Sequence, residues 1–172
     1  MDKTTIENEI KLFISYLYLK YPFYNSILSS IDLHLENNEK SNKYGIYSPG
    51  NKSIIIDFNF AKNELQKNKK VFFYYIIHEV LHIILKHKIR GIDKNSMRWQ
   101  IATDMAVEAV IYQDKVLSEF ITTPNQTKGI SKIYDYDDKV SSSAEDFYRT
   151  LNLSNLDELG QNCDFFNDTN EN

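Results

Sequence analysis

Apolar residues follow two different periods along the chain, and the period predicts which kind of element each stretch forms. Over residues 4–21 they recur every three or four positions, which predicts an amphipathic helix with Thr5 as its N-cap and an end before Pro22. A short second segment follows, to about residue 30. Residues 31–36 alternate apolar and polar side chains, the pattern of a half-buried strand, with His34 on the polar side.

A β-hairpin is predicted next. Residues 44–48 and 53–58 flank the turn sequence Pro49-Gly50-Asn51-Lys52, and the second arm contains three successive isoleucines. With residues 31–36, these arms are expected to form a small antiparallel sheet. Residues 59–69 predict a short helix that is capped by Asp57 or Asn59.

The strongest apolar run covers residues 71–90, VFFYYIIHEVLHIILKHKIR, and predicts one continuous buried helix. We expect it to end at Gly91, since glycine best adopts the left-handed conformation that follows a helix. A second helix is predicted over residues 97–113, capped by Asn95 or Ser96, and a short helix with serine caps and Glu145 over residues 141–151. The fold class is therefore α+β, a small sheet with a helical core.

Composition narrows the organisation and the setting. A chain of 172 residues with 42% hydrophobic content suits one domain, expected over residues 1–154, with an acidic, mobile tail over 155–172. The net charge of −4 and the absence of a basic stripe argue against nucleic acid as a partner. The sequence has no apolar stretch of membrane-spanning length and no signal-peptide core, so we expect a cytoplasmic protein. The single cysteine excludes an internal disulfide.

The centre of the apolar run carries candidate chemistry, the sequence His78-Glu79-Val80-Leu81-His82. Residues four apart lie on the same face of a helix, so His78 and His82 can present two imidazole nitrogens to one metal ion. Glu79 projects beside them, where its carboxylate can take a proton from a water molecule. The alternative is a pair of core histidines that hydrogen bonds satisfy.

A catalytic zinc site needs three protein ligands and an open position, so a third ligand is required. His82 lies nine residues before Gly91, and Asp104 lies nine residues after Asn95. If the two helices pack antiparallel, Asp104 comes level with His82 and Glu108 with His78. Both carboxylates are therefore candidates, as ligands or as partners of a histidine ring nitrogen. The alternative is an ordinary solvated helix face.

His87 is a rival third ligand because three of the four histidines fall within ten residues. It lies five residues after His82, about 140° further round a helix. It could join the site only if the helix broke, and Ile83-Ile84-Leu85-Lys86 contains no breaker. We therefore expect His87 to lie at the surface or to support a ligand from outside the metal's immediate shell.

The order of these motifs resembles a known family. YPFYNSIL, a hairpin ending in SIIIDFNF, HEVLHIILKH, RWQIATDMAVEAVI and SSSAEDFYRTL are together similar to the zinc metallopeptidase domain that precedes VWA-like domains in bacterial proteins, over roughly residues 17–151. The most specific parts are HEVLH with His87 five residues on, and W-x-x-A-x-D at Trp99, Ala102 and Asp104.

The resemblance implies a fold and a set of roles. The fold would be zincin-like, of the minimal gluzincin type, with the HExxH helix followed by an antiparallel helix. His78, His82 and Asp104 would bind Zn²⁺, and Glu79 would be the general base. Family members often have Asn where this chain has Glu108. The VWA-like half is missing from this chain, so a partner protein that replaces it is expected.

The hypothesis that follows is hydrolysis of a peptide or protein substrate by a zinc-activated water molecule. The peptide could lie along an edge strand, residues 31–36 or 44–48. Tyr112, Tyr134 and Tyr136 are candidate oxyanion donors by residue type alone. Two alternatives stay open: a binding module that keeps the fold and acts through protein partners, and a metal-free domain in which Asp104 and Glu108 satisfy the two histidines.

Overall fold

The computed structural model describes residues 1–37, 45–48, 52–115, 117–124 and 143–151. In these ranges the chain is mostly helical with one small sheet, so the α+β class is confirmed. It forms two compact units, Met1–Lys86 and His87–Asn172. The prediction of one domain over residues 1–154 stays a prediction, and the predicted tail lies outside the described residues.

The described residues of the first unit form four helices and three strands: α1 (Lys3–Lys20), α2 (Pro22–Leu28), β1 (Asp32–Glu36), β2 (Ile46–Tyr47), β3 (Ser53–Asp57), α3 (Phe58–Lys67) and α4 (Lys69–Ile84). The predicted cap Thr5 is wrong, because the Asp2 side chain caps α1 and accepts a hydrogen bond from the Thr5 N–H at 2.8 Å. The helix ends before Pro22, as predicted.

The sheet has the order β1-β3-β2, with β3 in the centre. β2 and β3 form the predicted antiparallel hairpin, whose turn residues 49–51 lie outside the described part of the chain. β1 pairs with β3 in parallel, in the register Asp32↔Ser53 to Glu36↔Asp57, so the prediction of an antiparallel sheet is wrong for this pair. The alternation of apolar residues assigns the faces of a strand but not its direction. Because the hairpin takes one edge of β3, β1 pairs with the other edge.

Helices α3 and α4 pack against each other and follow the sheet directly. Asp57 caps α3 by accepting a hydrogen bond from the Phe60 N–H at 2.8 Å, one of the two caps that the sequence predicted. Asn68 then caps α4. The ring of Phe73 on α4 stacks on Phe13 of α1, with centroids 4.0 Å apart. Nine of the sixteen residues of α4 are buried, which makes it the core helix of this unit.

The prediction of one continuous helix over residues 71–90 is wrong beyond Ile84. α4 ends at Ile84, and Lys86 takes a left-handed conformation with a φ of 54°. Its N–H donates to the Ile83 carbonyl at 3.1 Å, so a lysine occupies the position for which a glycine was expected. The apolar run stops at Leu85, and the polar residues beyond it leave the chain free to turn.

The second unit contains α5 (His87–Arg90), α6 (Ser96–Gln113), a 3₁₀ turn (Leu117–Glu119) and α7 (Ala144–Thr150). Asn95 caps α6, as predicted. Ser143 caps α7 in a reciprocal capping box whose acidic partner is Asp146, the residue after the expected Glu145. The core of this unit is formed by one face of α6 and one face of α7: Trp99, Ile101, Ala102, Met105, Ala106, Ala109, Ala144, Phe147 and Leu151.

Gly91 has a role different from the predicted one. No described glycine has a positive φ, so the left-handed assignment is wrong. A Cβ at Gly91 would lie 2.2 Å from Nε1 of Trp99. The residue is a glycine because the indole of Trp99 occupies the space of a side chain.

Among the described helices, none has both the length and the hydropathy to cross a membrane. The compartment stays a prediction.

Candidate metal centre

Helix α4 brings two imidazoles together in its last two turns. His78 and His82 are four residues apart, so their side chains stack on one face of the helix. Their Nε2 atoms are 3.0 Å apart and their ring centroids 4.7 Å apart. His78 is buried, with 8% of its surface exposed, and His82 is half-buried. Two nitrogens this close can share a proton or bind one cation.

The other ring nitrogen of His78 has a partner that the sequence analysis missed. The hydroxyl of Tyr74 lies 3.4 Å from Nδ1 of His78, one helical turn before it. Tyr74 is almost fully buried, with 1% of its surface exposed. The i,i+4 spacing was available as a signal in the sequence, but any of the 12 tyrosines could have been singled out with as little reason.

Glu79 lies between the two histidines in sequence and is half-buried. At 100° from its neighbour along a helix, its side chain leaves α4 beside the face of the histidine pair. A carboxylate with partial access to solvent can exchange protons with water.

Asp104 on α6 completes a set of three potential ligands. His78, His82 and Asp104 each offer one ligand atom, and these atoms lie within 4.8 Å of one another, as in a group that could hold a metal ion. Asp104 has 9% of its surface exposed, so the alternative of a solvated helix face does not describe it. Two imidazole nitrogens and a carboxylate oxygen are a donor set that divalent transition metals accept.

Glu108 is one turn after Asp104 on α6 and is not a member of this group. It is buried, with 6% of its surface exposed, and burial raises its pKa to about 8. Removal from water penalises the charged carboxylate, so the neutral acid is favoured near neutral pH. Whether Glu108 supports a histidine ring stays a prediction.

His87 is buried, so the first of its two predicted places, the surface, is wrong. It begins α5 with 3% of its surface exposed, because the chain turns at Lys86. Its carbonyl accepts a hydrogen bond from the indole N–H of Trp99 at 2.8 Å, and the two rings meet edge to face. It is not a member of the group of three potential ligands.

Several side-chain contacts involve the segment between His87 and Trp99, and the sequence analysis did not predict them. The guanidinium of Arg90 makes two hydrogen bonds to the carboxylate of Glu145. The ammonium of Lys94 lies 4.5 Å from the centre of the Trp99 ring. The hydroxyl of Tyr148 accepts a hydrogen bond from the Asn95 N–H at 3.1 Å. Most of these contacts join residues far apart in the sequence, so no local pattern signals them.

The remaining candidates lie elsewhere or are not described. His34 is exposed on β1, as the alternation predicted. Tyr112 is 66% exposed near the end of α6. Tyr134 and Tyr136 lie outside the described residues.

Comparison with known proteins gives no relative from which a role could be taken. No family model, curated protein or solved structure matches this chain. A function for this chain can therefore be inferred only from the chain's own residues and their geometry.

Proposed function

We propose that this chain is a zinc-dependent metallopeptidase-like hydrolase that cleaves peptide bonds. The observation that carries the proposal is the pair of imidazoles on α4, with Nε2 atoms 3.0 Å apart and Glu79 next to them in sequence. The zincin-like fold that the sequence resemblance implies is part of this proposal.

The geometry of the histidine pair is compatible with zinc. Two nitrogens at about 2.0–2.1 Å from a tetrahedral zinc ion are about 3.3 Å apart. The separation of 3.0 Å between the two Nε2 atoms requires only a small adjustment to reach that value. When bound, a zinc ion supplies a Lewis acid that makes water more acidic and polarises a carbonyl group.

Asp104 is the third ligand in this proposal, and Glu108 is not. Asp104 groups with the two histidines, whereas Glu108 does not. The resemblance of W-x-x-A-x-D to a peptidase motif supports the same choice.

Glu79 is the general base. Its carboxylate takes a proton from the attacking water and returns it to the nitrogen of the leaving amine. A general base must be accessible to the attacking water and to the substrate. Glu79 is half-buried, which is consistent with that requirement. His78 and His82 act through their ring nitrogens alone and transfer no proton.

A substrate peptide could bind at the edge of the described sheet that lies beside α4. β2 is an edge of the described sheet and packs against α4. An extended peptide that pairs with β2 would bind through main-chain hydrogen bonds and would therefore be selected only weakly by its sequence. We prefer β2 to β1 for this role because β2 contacts the helix that carries His78 and His82.

The test is hydrolysis of an unstructured protein such as casein by zinc-loaded protein, with Glu79→Gln as the matched variant. We expect Glu79→Gln to keep its zinc and its fold and to lose about 10²–10⁴-fold in rate, the usual contribution of a general base. Equal rates for the two proteins would contradict the proposal.

A second candidate function is a binding module that keeps the fold and acts through a protein partner. It is favoured by large apolar side chains exposed on one face of α1, Leu12, Tyr16 and Leu19, and by Phe23 on α2. In this case Glu79→Gln would change no measured activity, while charged substitutions at Leu12 and Leu19 would abolish binding of the partner.

A further inference from the structure

Tyr74 is placed to act on the candidate metal centre through His78. It lies four residues before His78 on α4, and its hydroxyl is 3.4 Å from Nδ1, slightly beyond the usual hydrogen-bond range of about 2.7–3.2 Å. The two rings are 5.7 Å apart at their centroids and inclined by 41°. Tyrosine has only two side-chain torsions, and Tyr74 is almost fully buried, so packing holds the hydroxyl in place.

The contact has chemical consequences because a neutral imidazole carries one proton on one of two nitrogens. If Nδ1 carries the proton, it donates to the oxygen of Tyr74, and Nε2 keeps its lone pair. Nε2 is the atom that faces His82, at 3.0 Å. Only this tautomer lets His78 bind a metal ion through Nε2.

We propose that Tyr74 is a positioning residue for the metal site: its hydroxyl accepts the Nδ1 proton of His78 and thereby fixes the tautomer and ring orientation in which Nε2 binds zinc. This inference rests on the proposed function. Histidine ligands in zinc sites usually donate their second nitrogen to a carboxylate, a backbone carbonyl or water. Here a phenol on the same helix takes that place.

A phenol suits this position physically. α4 is apolar around Tyr74, with Phe72, Phe73 and Ile77 buried nearby on the same helix. Burial of a charged carboxylate there would cost far more than burial of a neutral hydroxyl that has a hydrogen-bond partner. The hydroxyl can therefore orient the ring without adding a charge to the interior.

The neighbouring Tyr75 supplies a matched control. It is also buried on α4, and its ring meets Phe60 edge to face with centroids 5.2 Å apart. Burial, and to a smaller extent the charge of Glu64, raises the pKa of Tyr75 to about 12. The substitution Tyr75→Phe removes the same hydroxyl from the same helix, one residue away from the one that contacts His78.

The experiment measures zinc affinity by competition with a chromophoric chelator for the wild type, Tyr74→Phe, Tyr75→Phe and His78→Ala. Loss of a group that supports a ligand typically weakens metal binding 10–100-fold. We expect that loss in Tyr74→Phe and a change of less than about threefold in Tyr75→Phe. The side-chain ¹⁵N spectrum of the zinc-loaded wild type should show the His78 proton on Nδ1, and this signal should shift in Tyr74→Phe alone.

The outcomes separate the two proposals. A wild type that binds no more zinc than His78→Ala would overturn the proposed function and this inference with it. Tight zinc binding in the wild type, with equal affinity and an unshifted Nδ1 signal in Tyr74→Phe, would overturn the role of Tyr74 alone. If Tyr74→Phe does not fold, the wild-type spectrum decides: a proton on Nε2 of His78 in the zinc-loaded protein contradicts the inference.

Discussion

The two regions that carry the candidate ligands are built in different ways. In α4, every group of interest lies within nine residues of one helix: Tyr74, His78, Glu79 and His82. In the region from α5 to α6, side chains from distant parts of the sequence hold the backbone. The indole N–H of Trp99 donates to the His87 carbonyl, and Arg90 binds Glu145, a residue 55 positions away.

This difference decides what each region contributes to the site. The spacing of the imidazoles on α4 is a property of the helix, so it persists as long as the helix forms. Within the second unit, the position of Asp104 depends on where α6 begins, and the turn around Gly91 and Trp99 precedes that start. α4 is therefore expected to tolerate surface changes, whereas the α5–α6 turn should respond strongly to small changes in shape.

The largest effect should come from the buried acid on α6. The pKa of Glu108 is 4.5 in the unfolded state and about 8 in the folded state. At a pH between these two values, Glu108 is protonated in the folded state and ionised in the unfolded state. The folded state then binds one more proton, so the free energy of unfolding falls by about 1.4 kcal/mol for each pH unit through this window. Glu108→Gln, in chelator-treated protein, should remove this decline and stabilise the fold at pH 8 by a few kcal/mol. Chemical denaturation at pH 5 and pH 8 measures it.

A wild type and a Glu108→Gln variant that lose the same stability between these pH values would contradict that prediction. Glu36→Gln is a suitable control, because Glu36 is the same residue type and is exposed at the end of β1.

Gly91→Ala should destabilise the second unit by about 2–3 kcal/mol, because the new Cβ must displace the Trp99 indole. The φ of Gly91 is not positive, so the cost is steric and not conformational. The measurement is urea unfolding of the four members of a double-mutant cycle with Trp99→Leu. In the Trp99→Leu background the alanine should cost less than about 1 kcal/mol. A cost that is equal in both backgrounds would show that the indole does not set the turn.

The ion pair between Arg90 and Glu145 should contribute less, about 0.5–1 kcal/mol, since about a third of each side chain is exposed. The hydrogen bond from Arg90 holds the pKa of Glu145 below its ordinary value. The ion pair therefore contributes to the free energy of unfolding above the ordinary pKa of Glu145. This contribution is lost as the pH falls through the lowered pKa. Glu145→Gln should destabilise the protein at pH 7 and have no effect in strong acid. An effect that does not change with pH or salt would contradict an electrostatic origin.

The smallest effect is expected at the end of α4. The left-handed conformation of Lys86 costs a residue with a Cβ about 1 kcal/mol or more, and glycine avoids that cost. Glycine also loses more backbone freedom on folding, so Lys86→Gly should stabilise the protein by only about 0.5 kcal/mol. Lys88→Gly, inside the short helix α5, is the control and should destabilise it. Thermal unfolding distinguishes the two signs.

The sequence predicted most of what lies within single elements. The end of α1 before Pro22, the hairpin of β2 and β3, the start of α6 at Asn95 and the face shared by His78 and His82 follow from local patterns. Each depends on residues a few positions apart, where periodicity and capping preferences act directly.

Most of the features that were wrong or missed depend on contacts between elements. The cap of α1 and the contact of Tyr74 with His78 are exceptions, because each lies within one helix. The parallel direction of β1 depends on which edge of β3 the hairpin leaves open. The break at Lys86 has no glycine or proline to signal it, and the glycine that seemed to signal an end, Gly91, is required by a tryptophan eight residues later. Burial of His87 follows from that break, so a continuous helix left the surface as one of its two predicted places.

Zinc content per chain after dialysis is the decisive test of the metal centre. It is measured by atomic emission for the wild type and for His82→Ala, Asp104→Ala, Glu108→Ala and His87→Ala. We expect about one zinc per chain in the wild type, loss in His82→Ala and Asp104→Ala, and retention in Glu108→Ala and His87→Ala. Loss in Glu108→Ala or His87→Ala instead of Asp104→Ala would contradict the choice of third ligand. A wild type that takes up no zinc, even when it is refolded with the metal, would contradict the metal centre itself.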